Sequence, residues 1–264
     1  MQQREVAGNV DTGLLKIIAI VCMMIDHVGS RLLSNVNELR IIGRIAFPLY
    51  VWCVVVGACY TRDPMRYALR LLIAGVVSQP FYMLGLSHSW GELNVMFTLL
   101  LGYISIVGIR ENRDGSRYWA PALVLLATDF IKVDYSFNGV LLAMLLYLAR
   151  ERRGAIAALM VAFCMYWGSS STAVTEIFGY SLRANGNVVN EVFNLSLPKR
   201  FLRLQALAIL ALPLMLWRKQ KRTPLPRWVA YAAYPGHLLI LWLAQLYLGK
   251  TTWAAAWYRL FPFM

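Results

Sequence analysis

The sequence predicts an all-α, polytopic integral membrane protein of about nine transmembrane helices with a cytoplasmic N-terminus, forming a single transmembrane domain over residues 1–264. Three observations predict this. Hydrophobic residues make up 59% of the chain and charged residues only 15%, too few charges to coat a soluble globule of this size. The apolar residues gather into blocks close to the ~20 residues that span a bilayer. Lys and Arg concentrate in alternate connecting loops, as in loops that stay cytoplasmic. The 26 Lys and Arg against 13 Asp and Glu leave a net charge of +13, and its placement marks topology rather than a nucleic-acid partner.

In order, the blocks run from Leu14 to Leu33, Ile42 to Tyr60, Tyr67 to Leu86, Leu93 to Ile109, Trp119 to Val133, Ser136 to Ala149, Gly154 to Gly168, Phe201 to Trp217 and Trp228 to Leu248. The first carries Asp26 and His27 and lacks a small-residue cleavage site, so it stays as a helix and is not a cleaved signal. Basic residues follow the second block (Arg62, Arg66), the fourth (Arg110, Arg113, Arg117), the sixth (Arg150, Arg152, Arg153) and the eighth (Arg218, Lys219, Lys221, Arg222, Arg227), which assigns those loops to the cytoplasm. The stretch from Ser87 to Glu92 has neither Lys nor Arg and is assigned outside. The fifth, sixth and seventh blocks are short, which implies tilt, partial re-entry or helices longer than the hydropathy shows. Ser169 to Arg200 is polar and of a size to cap an outer opening. Cys22, Cys53, Cys59 and Cys164 all fall inside blocks without a C-x-x-C pair, so neither a disulfide framework nor a metal site is expected.

The functional candidates are polar residues that lipid excludes. An ionisable group near the bilayer centre costs at least a few kcal/mol, so it has to face a cavity or a partner. Asp26 and His27 interrupt the first block beyond its midpoint, and Arg44, at the start of the second, is a natural ion-pair partner for Asp26. Pro48 is expected to kink that second helix. Lys16 stands eleven positions before His27, three turns plus about 20°. Both side chains therefore share one face, roughly 16 Å apart along the axis. Such a face suits a long anionic donor that enters at the lysine and ends at the imidazole, although a lysine at a cytoplasmic helix end also serves as a plain topology anchor. Gln79 and Asn94 lie near the outer ends of the third and fourth blocks, where amides tie helices together. His88 between them reads as a solvated loop residue. Asp129 and Asp134 flank an outer turn around Lys132, followed by Tyr135. Tyr234-Pro235-Gly236 is expected to break the ninth block and leave His237 in the membrane interior.

Lys16, Asp26 and His27, then Gly43-Arg44-Ile45-Ala46-Phe47-Pro48-Leu49, Arg70-Leu71, Gln79 with Tyr82, Asn94, Tyr135 with Gly139-Val140-Leu141, and His237-Leu238 together resemble the TraX family of bacterial membrane proteins, over most of the chain from about Leu14 to Leu243. The Lys-x10-His spacing is similar to that of the wider group of membrane acyltransferases, including the acyltransferase-3 and heparan glucosaminide acetyltransferase families. The resemblance implies a multi-pass acetyltransferase of the bacterial inner membrane, with acetyl-CoA as co-substrate and no metal. Its acceptor would be extracytoplasmic: the N-terminal amine of a pilin-like protein, a glycan or a lipid. On this reading His27 and Asp26 are the catalytic candidates and Lys16 binds the donor. Arg44, Tyr135, Gln79, Asn94 and His237 are candidates for substrate binding or transition-state support. His27 would act either as a base toward the acceptor or as an acetyl carrier. A proton-coupled transporter using Asp26 and His27 is the alternative, and a non-catalytic assembly factor a further one.

Overall fold

The computed structural model describes residues 6–33, 36–174, 203–218 and 222–261, with residues 176–177 and 180–181. Its first helix, α1, spans Thr12–Arg31, and the Asp11 carboxylate caps it by accepting from the Leu14 N–H at 3.1 Å. The same carboxylate accepts from the Thr223 N–H and hydroxyl at 2.9 and 2.8 Å, tying the start of α1 to a segment more than two hundred residues away. α2 (Asn37–Gly43) and α3 (Ala46–Tyr60) are two parts of one apolar stretch, separated by a turn at Arg44 and Ile45. Pro48 explains the turn. It has no N–H for the Arg44 carbonyl and its ring crowds that carbonyl, so helical bonding fails one turn upstream of the proline.

α3 is apolar on all sides and correspondingly buried, from Phe47 and Leu49 through Val51, Trp52 and Val55 to Ala58. It is the central post against which α1, α5 (Val95–Glu111) and α7 (Ser136–Ala149) pack. α4 (Pro64–Leu86) begins with an Asp63 cap and a proline in the first turn, where a missing N–H costs nothing, and it packs on α10 (Arg227–Tyr247). Its other face exposes Leu69, Ile73, Val76 and Val77, an apolar stripe that lipid covers and water would not. α6 (Ser116–Phe130) lies on α5 and α7, and α8 (Arg153–Ser169) on α7. A 3₁₀ turn over Ala206–Ala211 leads into the short α9 (Leu212–Leu216). Apart from the ladder between Glu176–Ile177 and Tyr180–Ser181, the described fold is helical.

Four stretches among the described residues are long and apolar enough to cross a membrane: Thr12–Arg31, Asn37–Tyr60, Pro64–Leu86 and Trp228–Tyr247. The protein is thus a helical membrane protein, but nine crossings are not established by helix length. The reason is geometric. At 1.5 Å per residue, the 15 and 14 residues of α6 and α7 reach only about 20 Å, short of a hydrocarbon layer roughly 30 Å thick. The expected break at Tyr234-Pro235-Gly236 does not occur either, since α10 runs through Pro235 to Tyr247. Most of the Ser169 to Arg200 segment, expected to cap an opening, lies outside the described residues.

One element was not anticipated. α11 (Trp253–Leu260) is capped by the Thr252 hydroxyl, exposes Trp253, Trp257 and Tyr258, and lies against α4. An aromatic-rich amphipathic helix of this kind suits the membrane interface. Its last carbonyl, at Leu260, accepts from the Trp90 indole N–H at 3.0 Å.

Candidate active site

The end of α1 opens into a polar cavity of about 560 Å³, walled by Asp26, His27 and Arg31 from α1, Arg40 and Arg44, Tyr82 and His88, Asp134 and Tyr135, with Trp167 and Gln205 behind. His27 makes the contact that orients this site. Its Nδ1 lies 2.9 Å from Nε2 of His237, and the two rings are stacked nearly parallel. The second nitrogen of His237 faces the Ala233 carbonyl at 3.0 Å. A carbonyl only accepts, so His237 Nδ1 carries the proton, and in the neutral pair its Nε2 is the acceptor. His27 Nδ1 then donates, and His27 Nε2 keeps a free lone pair on a ring that lines the cavity. The tautomers are assigned from this chain of contacts.

Asp26 does not touch His27, because neighbours on a helix point about 100° apart. Its Oδ2 accepts from Arg44 at 2.7 Å, both side chains being largely buried. Arg44 is held by two more acceptors, the Arg40 carbonyl at 3.2 Å and the Gln205 side chain at 3.4 Å. The preceding residue shows why the motif reads Gly-Arg. A Cβ on Gly43 would lie 2.2 Å from the Cβ of Asp26, so only glycine lets α2 approach α1 closely enough for the ion pair. The other oxygen, Asp26 Oδ1, is buried without a hydrogen-bond partner among the described residues.

Tyr135 enters the cavity from the turn before α7. It has φ +62°, an uncommon value for a bulky residue, and is held there by stacking on Phe47 at 3.8 Å and by the edge of Trp167. Gly139 accommodates this packing, since a Cβ there would meet Thr98, Tyr135 and Phe47 within 3.0 Å. Asp134 hangs from the same turn. Burial pushes its carboxyl up to about 6, although His88, the Tyr135 N–H and Arg44 pull the other way. The Leu93 N–H donates to the Lys132 carbonyl and the Asp134 N–H to the Leu93 carbonyl, at 2.8 and 2.9 Å, stitching this turn to the loop after α4.

Gln79 and Asn94 are buried but do not line the cavity. Asn94 donates to the Gly75 carbonyl and to the Gln79 side chain, each at 2.8 Å, while Gln79 donates to the Glu92 carbonyl at 2.7 Å. They hold the loop that presents His88. Lys16 lines a separate small hollow of about 40 Å³ with Tyr50, Cys53, Tyr67 and Tyr231. A third hollow of similar size shares Tyr50 with it and Asp26, His27 and Tyr135 with the cavity. Tyr50 is therefore the shared wall along the face that joins Lys16 to His27.

Sequence reasoning missed three contributors. His88 is no loose loop residue: its ring stacks on Tyr82 at 4.5 Å and 2°, and its Nδ1 meets Glu92 at 3.0 Å. The spacing of His88 and Glu92, four apart, was visible but not used. Arg31 follows His27 by four residues, the same helix face, and donates to the Leu86 carbonyl. Tyr50 gave no signal beyond lying in an apolar block.

A pair of stacked imidazoles, a largely buried ion pair and a polar cavity at the end of α1 are set into a helical membrane protein. The family model described as TraX protein matches residues 11–245, and the chain belongs to that family. It is 26% identical over 254 residues to the "Probable fimbrial assembly protein FimC, serogroup H1" of Dichelobacter nodosus, covering 89% of this chain and 95% of that protein. An uncharacterised protein of Rickettsia prowazekii (strain Madrid E) is 28% identical over 145 residues, 53% of this chain and 56% of the relative. No solved structure matches it.

Proposed function

We propose that the protein is an acetyl-CoA-dependent transmembrane acetyltransferase of the bacterial inner membrane. It moves an acetyl group from cytoplasmic acetyl-CoA to an extracytoplasmic acceptor, for which the amine of a pilin-like protein is favoured by the fimbrial name of the relative. The observation that carries this reading is the His237–His27 relay, which leaves one basic nitrogen at a polar cavity, on the same helix face as Lys16. Acetyl-CoA cannot cross a bilayer, so its thioester has to be presented through the protein. Lys16 would meet a phosphate of the donor at the cytoplasmic end. The hollow at Lys16 holds little more than water, so a thioester arm reaches His27 only if Tyr50 swings aside.

In the transfer, the acceptor nitrogen attacks the thioester carbon and His27 Nε2 accepts its proton. The C–N bond forms, the C–S bond breaks, and the imidazolium returns the proton to the coenzyme A sulfur. His237 holds the ring and shares the charge through Nδ1. Arg44 would offer positive charge and Tyr135 a hydroxyl to the developing oxyanion, and both line the cavity. The ion pair on Asp26 favours this reading over proton-coupled transport, in which that carboxylate would have to exchange protons.

The test uses the full chain in sealed proteoliposomes of known orientation, with radiolabelled acetyl-CoA supplied on one side and an impermeant amine acceptor on the other. Transfer should occur only with donor on the side of the N-terminus. Single cysteines at positions 89 and 116, on a cysteine-free background, should react with an impermeant reagent from opposite sides. Uptake of solute without transfer would sink the proposal, and labelling of both cysteines from one side would sink its topology.

A further inference from the structure

A second imidazole faces the same cavity, and acetyl transfer through His27 leaves it without a task. His88 lies at the rim, flat against Tyr82, with Nδ1 bonded at 3.0 Å to the Glu92 carboxylate. Glu92 accepts also from the Ser89 N–H at 3.0 Å, and that backbone donor first, then His88, holds its carboxyl below the usual range. Whichever way the proton is shared, an anion behind Nδ1 fixes the ring so that Nε2 is its exchanging nitrogen, the arrangement that makes a histidine a directed base. Glu92 is itself half-exposed, so a proton taken up here has a path to solvent. His27 is joined at Nδ1 to the buried imidazole of His237 instead, which leads on to the Ala233 carbonyl and not to a carboxylate.

Two bases in one cavity correspond to the proton balance of one acceptor class. A hydroxyl acceptor gives up a single proton, and the departing coenzyme A sulfur takes it. An α-amine has a pKa of about 8, so at neutral pH it arrives mostly as an ammonium and sheds two protons. The sulfur takes one and the other has to leave. We propose that the His88–Glu92 dyad is the base that removes this first proton: R–NH3⁺ passes one proton to His88 Nε2 and becomes R–NH2, and His88 releases it to the rim. The free amine then attacks the thioester, its second proton travels through His27 to the sulfur, and the products are the acetamide, the coenzyme A thiol and one proton in solution. This role rests on the acetyl-transfer reading above and assigns that site a charged amine as substrate.

Charged and titratable groups from several elements share the cavity with His88. Glu92 lies on its own loop, Asp134 and Tyr135 on the stitched turn, Tyr82 beneath it on α4, Asp26, His27 and Arg31 on α1, and Arg40 and Arg44 on α2 and the turn after it.

The test compares two small amines that fit the cavity, glycinamide and aminooxyacetamide, with the full chain in liposomes. Glycinamide is mostly an ammonium at pH 7, whereas the aminooxy nitrogen is already neutral there. His88→Gln should lower kcat/KM for glycinamide about 10²-fold at pH 7, and the deficit should close to within about threefold by pH 9 as the amine deprotonates itself. Aminooxyacetamide should be acetylated by wild type and variant within about threefold at both pH values. Glu92→Gln, which keeps the loop contacts more fully, should show the same contrast with a smaller deficit and serves if His88→Gln fails to insert. An equal loss on both acceptors, or a loss unchanged by pH, would overturn the dyad while leaving acetyl transfer intact. Wild type that transfers to neither amine would overturn both.

Discussion

The cavity at His27 and the hollow at Lys16 share one helix face and differ in nearly everything else. The first holds about 560 Å³ and is walled by charge, while the second holds about 40 Å³ and offers one ammonium among aromatic and aliphatic side chains. Around the cavity, polar groups are tied in advance: Arg44 to three acceptors, His27 to His237, the rim loop to Gln79 and Asn94. At the hollow little space is open. A surface held by fixed hydrogen bonds suits a site that orients charge, and a passage closed by one side chain suits a place where a long ligand enters and leaves. The two ends should therefore fail differently when altered.

The largest difference is expected at His27. His27→Ala should reduce acetyl transfer by on the order of 10²-fold or more while acetyl-CoA still binds, measured as kcat against donor Kd in detergent-purified protein. Near-normal turnover in a folded variant would remove the cavity as the reaction site. Next comes Arg44→Met. It leaves Asp26 charged and unpaired in a largely buried position, a loss of about 3–5 kcal/mol, so the variant should show reduced yield and a lower Tm before any kinetic effect is read. An unchanged Tm would mean that the ion pair contributes nothing to stability.

Lys16→Ala should act at the other end. It should raise the KM for acetyl-CoA about tenfold with kcat nearly kept, because a phosphate contact is shared by ground and transition states. Lys16→Arg should restore most of the affinity, and a change confined to membrane orientation would make Lys16 an anchor only. The smallest effect belongs to Asp134. Its carboxyl is held at about 6 in the fold against 3.8 outside it, so the protonated form is favoured by folding. Its contribution is present below pH 3.8 and is lost as pH rises toward 6. Wild type should thus lose a modest amount of Tm across that window, and Asp134→Asn should flatten the slope there. An identical slope in both proteins would assign the dependence to another group.

Much of this was legible in the residues. Asp26 and His27 announce themselves because lipid tolerates neither, and the partner of Asp26 followed from the cation at the next helix start. Pro48 gave the kink, with the interruption one turn upstream at the carbonyl its ring crowds. What could not be read were contacts between helices distant in sequence. His27 and His237 were each singled out, but nothing in their spacing places one ring on the other. His88 looked solvated because its burial comes from Tyr82 and from a loop whose path depends on Ser87 at φ +60°. Gln79 and Asn94 belonged to one clamp, which two isolated amides do not disclose. The number of crossings stays open for a related reason, since a block of apolar letters fixes where a helix forms and not how far it reaches.

The pairing of His27 with His237 also has a consequence in time. The two rings are 210 residues apart in the chain. At synthesis rates of roughly 5–20 residues per second, about 10–40 s separate their emergence from the ribosome. Through that interval α1 sits in the bilayer with its imidazole unaccompanied, the ring free to turn and either nitrogen able to hold the proton. The pair of rings is completed only when α10, the last of the long helices, packs beside α1. A chain stopped before that point carries His27 and the Asp26–Arg44 pair but lacks the His237 ring, so the acetyl transfer proposed above would wait for the end of synthesis.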